Sequence, residues 1–193
     1  MNELVFASAN KNKVLEVEAK LGAGMKLRGL SDIGCTEEIP ETMPTIEGNA
    51  QQKARYVWEK YHVNCFADDT GLEVPALNNE PGVYSARYAG EQRSSKDNMS
   101  KLLLNLENVS DRSARFRTVV CLILDGEEFL FEGIAAGHIS DKLLGDEGFG
   151  YDPIFIPNGE TRSFAQMTLE EKNRQSHRGK AIKLLAEFLK TKV

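Results

Sequence analysis

The chain has 193 residues, with 24 Lys and Arg against 29 Asp and Glu, a formal charge of -5 and 41% hydrophobic residues. That length hides about 70% of the unfolded surface and supports a sizeable core, while the hydrophobic content excludes general disorder. The acidic balance argues against sequence-independent nucleic-acid binding, which draws on clustered Lys and Arg, but it leaves open an anionic small molecule, whose binding depends on local charge.

No apolar run approaches the ~20 residues needed to span a bilayer, and Met1-Asn2-Glu3 lacks the basic start of a secretory leader. Cys35, Cys65 and Cys121 are widely separated and unlike metal ligands in spacing. They read as small core residues of a cytoplasmic protein. No repeat or linker-like tract divides the chain, so residues 1–193 are expected to form a single domain.

Leu4-Val5-Phe6-Ala7 predicts a short buried strand, broken by Ser8-Ala9-Asn10 and followed by a helix with Val14, Val17 and Leu21 on one face. A second helix begins near Thr45 and carries Ala50, Ala54, Val57, Trp58 and Tyr61 at steps of three and four. Cys65-Phe66-Ala67 is strand-like and ends in Asp68-Asp69-Thr70-Gly71. Ser94 and Asp97 have capping-box spacing ahead of Met99, Leu102, Leu103 and Leu106. Phe116, Thr118, Val120, Leu122 and Leu124 alternate, and Asp125-Gly126 turns that strand back through Phe129 and Phe131 as a hairpin. Thr168 and Glu171 give a second capping box, and a last helix carries Ala181, Leu184, Leu185, Phe188 and Leu189. Interleaved strands and helices with one long hairpin predict an α/β fold with a mixed sheet.

Three regions carry chemistry. Ser8-Ala9-Asn10-Lys11-Asn12-Lys13 lies where a strand hands over to a helix, whose unpaired N–H groups favour a phosphate. Ser8 and Asn10 either donate to that anion or cap the helix, and Lys11 and Lys13 are unfavourable at a positive helix end unless an anion neutralises them. Asp68 and Asp69 are costly to desolvate without a cation; on a strand they face opposite ways, so one of them aims into a given cleft. Beside a phosphate loop, a hard cation such as Mg²⁺ and phosphoryl chemistry are the sharper reading, and an Asp-rich turn with Gly71 at positive φ is the plainer one; Glu37, Glu38 and Glu41 form another acidic group, whose plain reading is a solvated loop. Gly148-Phe149-Gly150-Tyr151-Asp152-Pro153 offers close backbone approach and aromatic faces for a planar base. Lys172, Arg174, His177, Arg178 and Lys180 form a locally basic run, whose plain reading is a solvated face.

Six segments then occur in order: Ser8-x-Asn10-x-x-Lys13, Asn49-Ala50-x-x-Lys53-Ala54, Ala67-Asp68-Asp69-Thr70-Gly71-Leu72, Pro81 to Tyr88 (Pro-Gly-Val-Tyr-Ser-Ala-Arg-Tyr), Phe149-Gly150-Tyr151-Asp152-Pro153 and Ser176-His177-Arg178. Together they resemble the inosine/xanthosine triphosphate pyrophosphatases, from residue 4 to about residue 190. The resemblance implies Mg²⁺-dependent hydrolysis of ITP, dITP and XTP to the monophosphate and pyrophosphate. It further implies a homodimer and an elongated mixed sheet with flanking helices, its two lobes set around a central substrate cleft. By position it places Ser8, Ala9, Asn10, Lys11, Asn12, Lys13 and Lys53 on the triphosphate. Asp69 becomes metal ligand and general base, Thr70 a substrate contact and Glu41 a second metal ligand. Phe149, Gly150, Tyr151, Asp152, Lys172, His177 and Arg178 become the nucleobase pocket. Two positions depart from the family pattern: Gly48 stands where a Glu usually precedes the Asn-Ala pair, and Met43 replaces a frequent Gly. A Maf-like pyrophosphatase with another base preference and a non-catalytic nucleotide-binding regulator are the competing functions.

Overall fold

Consecutive apolar residues are all buried only in a strand covered on both faces, and Leu4, Val5 and Phe6 form such a strand, β1 (Glu3–Phe6). The computed structural model describes residues 3–21 and 26–192. β1 pairs in parallel with β2 (Lys26–Arg28) and β3 (Cys65–Val74), and β3 pairs antiparallel with β4 (Glu80–Gly82). Two long strands, β5 (Ser113–Leu124) and β6 (Glu127–Ile139), follow, and β7 (Phe155–Pro157) pairs antiparallel with β6. The strand order is β2-β1-β3-β5-β6-β7, with β4 on β3. The helices are α1 (Lys11–Leu21), α2 (Ile46–Tyr61), α3 (Ser95–Asn105), α4 (Leu169–Gln175) and α5 (His177–Lys190). The expected α/β fold with a mixed sheet is what forms.

The chain makes two compact units, and it passes between them inside β3, β5 and β6 and again from Ser176 to His177. The first comprises the chain up to Asp69, Thr118–Gly133 and the chain from His177 onward; the second comprises Thr70–Arg117 and Ile134–Ser176.

In the first unit α1 and α5 pack on the sheet face that carries Phe6 and Phe66, whose rings stack at 4.7 Å, together with Val17, Val120, Leu122, Ala181 and Leu185. Leu184 was expected on this face but is 44% exposed; Ile182 is buried there instead, beside Ala181, Leu185 and Leu189. α2 buries Ile46, Ala50, Ala54 and Val57, and the Cys65 thiol donates to its Ala54 carbonyl at 3.3 Å. Thr118 to Leu124 are consequently buried without interruption, so the alternation read in this strand is an in–out pattern only at its start, where buried Ala114 and Phe116 alternate with exposed Ser113 and Arg115. The hairpin turn is as expected: Asp125 (φ 51) and Gly126 (φ 88) are both left-handed, as a two-residue turn of this type requires. The three cysteines are free and buried.

Gly133 fixes how α5 starts. A Cβ there would stand 2.0 Å from the His177 carbonyl oxygen and 2.6 Å from the Ala181 nitrogen, so the first turn of α5 lies directly on the β6 backbone. Gly133→Ala is therefore expected to cost about 3 kcal/mol, the upper end for overpacking. Denaturant unfolding at the wild-type midpoint would show that the helix simply moves aside.

The second unit has its own core, with Leu72, Met99, Leu102, Phe116, Phe155 and Phe164 among its members. Ser94 caps α3 by accepting the Asp97 N–H at 3.2 Å. The expected capping box is only half made, because the Asp97 carboxylate accepts from Gln92. At α4 the Thr168–Glu171 box is complete.

Candidate active site

The alternation of β3 sorts its two aspartates. Asp68 shares parity with Phe66 and meets α1 and α5; Asp69 shares parity with Cys65 and meets α2. Neither belongs to a turn. β3 runs on through Thr70 and Gly71 to Val74, and Gly71 does not take the positive φ that the turn reading required.

Asp68 is 1% exposed. Its Oδ1 accepts from Lys13 Nζ at 3.1 Å and its Oδ2 from Arg178 Nε at 3.0 Å. Arg178 also donates to Glu16, a buried carboxylate one turn beyond Lys13 on α1. Burial by itself raises a carboxyl's pKa, but Lys13, Arg178 and Lys53 outweigh it and hold Asp68 well below the usual range. Burial opposes the charge on Arg178, yet Asp68 and Glu16 raise its pKa further. For Lys13 burial prevails over Asp68, and its pKa is lowered.

Asp69 is 9% exposed and differently placed. Asn49 Nδ2 donates to its Oδ2 at 3.2 Å, and Lys53 Nζ lies 3.7 Å from its Oδ1. Burial pushes the Asp69 carboxyl up, Glu41 adds to the effect, and Lys53 and Lys13 offset only part of it. Lys53 also donates to Glu41 Oε1, and its three neighbouring carboxylates raise its pKa against the effect of burial. An ammonium therefore stands between two carboxylates, Glu41 and Asp69. Among the described residues no group of three or more acidic, His or Cys side chains could hold a metal ion. Two carboxylates are nonetheless the donor set a Mg²⁺ takes when phosphate oxygens and water complete its shell.

The loop between β1 and α1 is capped from within. Asn10 Oδ1 accepts the N–H groups of Asn12 (3.0 Å) and Lys13 (3.3 Å), and Ser8 Oγ accepts that of Asn10 (3.3 Å). Capping is thus the observed role of Asn10. α1 has no acidic residue in its first turn, where Lys11 and Lys13 sit, so the turn itself adds positive charge to the positive end of the helix. Ala9, Asn10, Lys11 and Asn12 are exposed, while Ser8 and Lys13 are half-buried.

In the second unit Asp152 organises the aromatic turn. Its Oδ2 accepts the Phe149 N–H at 2.8 Å and Lys172 Nζ at 2.7 Å. Gly148 (φ 80) is required here, since a Cβ would lie 2.3 Å from that same oxygen. Lys172 stands 4.7 Å from the centroid of the half-buried Phe149 ring. Tyr151, expected as a second base-facing aromatic, is 4% exposed, with its hydroxyl on the Ser85 carbonyl at 2.8 Å. The basic run is no solvated face: Lys172, His177 and Arg178 are buried, and only Arg174 and Lys180 are exposed.

Ser8 to Lys13, Glu41, Lys53, Asp69, His177 and Arg178 belong to the first unit; Thr70, Phe149 to Asp152 and Lys172 belong to the second. Glu16 and Asn49 were given no role from the sequence. Each lies one helical turn from a lysine already singled out, Lys13 and Lys53, and that spacing was the available signal.

Fold and charge pattern together define an α/β protein with a buried ionic centre on its middle strand. The Ham1 family model matches residues 4–188. A dITP/XTP pyrophosphatase of Flavobacterium psychrophilum is 57% identical over 188 residues, 97% of this chain and 99% of that protein. That of Flavobacterium johnsoniae is 56% identical over 187 residues, 97% of each. The Staphylococcus aureus Ham1 protein structure superposes with a TM-score of 0.91 at 40% identity, covering 100% of both chains. The chain belongs to the Ham1 family.

Proposed function

We propose that this protein hydrolyses dITP, ITP and XTP to the nucleoside monophosphate and pyrophosphate with Mg²⁺ as cofactor. It is a pyrophosphatase, a hydrolase of triphosphate anhydride bonds, as its relatives named dITP/XTP pyrophosphatase support at up to 57% identity. The observation that carries the mechanism is Asp69: a buried carboxylate with a raised pKa, oriented by Asn49 and set beside Lys53 and Glu41.

Water attacks the α-phosphorus, the bridging oxygen to the β-phosphorus leaves with pyrophosphate, and Asp69 takes the proton from the attacking water. A base whose pKa is raised towards the working pH holds that proton better than an ordinary aspartate would. Lys13 and Lys53, with the start of α1, supply positive charge and donors for a triphosphate. Glu41 and Asp69 would hold the Mg²⁺, which supplies charge to offset that of the phosphate oxygens.

Base discrimination follows from donor chemistry. Hypoxanthine and xanthine carry a carbonyl where adenine carries an amino group. Lys172 bears donors and no acceptor, so adenine leaves a donor unmatched. The resemblance also supports a cytoplasmic homodimer, and among the described residues no helix is long and apolar enough to cross a membrane.

Pyrophosphate release from dITP, ITP, XTP, GTP and ATP, with and without Mg²⁺, tests the reading. The deaminated substrates are expected to exceed ATP by about 10- to 100-fold, the value of one unmatched buried donor. Equal rates for ITP and ATP would sink the discrimination argument, and a pyrimidine preference would favour a Maf-like activity.

A further inference from the structure

The carboxylate of Glu41 is about a third exposed and sits on a segment outside the strands and helices. That segment is nevertheless tied along α2 by side chains. The Met43 N–H donates to Asn49 Oδ1 at 2.9 Å. The Thr42 N–H donates to Gln52 Oε1 at 2.9 Å, and Gln52 Nε2 returns a bond to Thr42 Oγ1 at 2.9 Å. Lys53 takes Glu41. Further on, Glu37 Oε1 accepts from the hydroxyls of Tyr56 (3.0 Å) and Tyr61 (2.7 Å) and from Lys60. As the segment's residue numbers fall from 43 to 37, the helix partners rise from 49 to 61. The segment therefore runs antiparallel to α2, and its partners at steps of three and four share one helical face.

We infer that Gln52 is a positioning residue for Glu41. This rests on the reading of Glu41 as a carboxylate for the cation. Glu41 has a flexible side chain, and its direction is set by where its backbone is fixed. The nearest backbone tie is the Thr42 N–H, and an amide both accepts that N–H and donates to the adjacent hydroxyl. Partners of this kind, which orient a metal-binding carboxylate without touching the metal, change metal affinity when removed. Asn49 makes the neighbouring tie but also contacts Asp69, so Gln52 is the member whose effect runs through the segment alone.

Gln52→Leu keeps bulk and helix propensity while deleting both bonds. The expected result is a rise of about 10-fold in the Mg²⁺ concentration for half-maximal pyrophosphate release from dITP. KM for dITP at saturating Mg²⁺ stays unchanged, and hydrogen exchange of the Thr42 amide quickens in the metal-free protein. Arg55→Ala is the control: Arg55 lies on the same helix but bonds Glu128, and its loss leaves the metal requirement and the Thr42 amide as they are. If Glu41→Gln raises the metal requirement and Gln52→Leu does not, the positioning role is overturned while the metal reading stands. If Glu41→Gln leaves the requirement untouched, the metal reading of Glu41 fails and the inference falls with it.

Discussion

Asp69→Asn is expected to lower turnover of dITP by about 10²- to 10⁴-fold at saturating Mg²⁺, the range for loss of a positioned base. The substitution keeps the shape of the side chain and an oxygen to accept the Asn49 amide, so the fold is preserved. The same change is expected to raise the melting temperature of the metal-free protein. Asp69 has a pKa raised in the folded state, chiefly by burial, so folding favours its protonated form. That contribution is present at low pH and fades as pH rises through the folded value, which makes the charge a cost at neutral pH. Asn removes the cost along with the base. Wild-type turnover in the variant at saturating Mg²⁺ would remove Asp69 from the base role; loss of turnover that excess Mg²⁺ fully restores would leave it as a metal ligand only.

Much of this fold was legible because local signals agreed with one another. Thr45 caps α2, accepting the Gly48 N–H at 3.0 Å, where the apolar periodicity starts. Asp125-Gly126 makes the left-handed two-residue turn that such a pair favours between strands. The misreadings share one cause, that tertiary partners replaced what looked like local chemistry. Asp68 to Gly71 has the composition of a turn, and it continues as strand because Lys13, Lys53 and Arg178 arrive from three helices to neutralise its charges. Asp97 spends its carboxylate on Gln92 and so leaves its capping box half made. Gln52 reads as one more polar residue on a helix, since nothing in α2 itself shows that a segment passes along it.

The two departures from the family pattern acquire one explanation. A Cβ at Gly48 would lie 2.8 Å from the Met43 Cβ and 3.0 Å from Thr45 Oγ1. Met43 therefore takes the room that a side chain at position 48 would need, and the missing glutamate and the added methionine are two sides of the same packing. Their separation in sequence hid this, and only the course of the segment over α2 brings them together.

Asp68→Asn should behave oppositely to Asp69→Asn although the residues are adjacent. It takes the Asp68 charge away from Lys13 and Arg178, a buried ion group with a partner removed, and such losses cost about 3–5 kcal/mol. For a chain of this size that lowers the melting temperature by roughly 10 °C. The pH dependence carries the same sign. Because the folded-state pKa of Asp68 is depressed, its stabilisation is complete above the unfolded value of about 3.9 and is lost as pH falls below it. Asp69, raised by burial, contributes nothing of that kind. Thermal unfolding of both variants at neutral pH, without metal, therefore gives a signed comparison: Asp68→Asn melts below wild type and Asp69→Asn above it. Equal losses in the two would mean that the aspartates share one environment, and the division of β3 into a structural face towards α1 and α5 and a chemical face towards α2 would have to be abandoned.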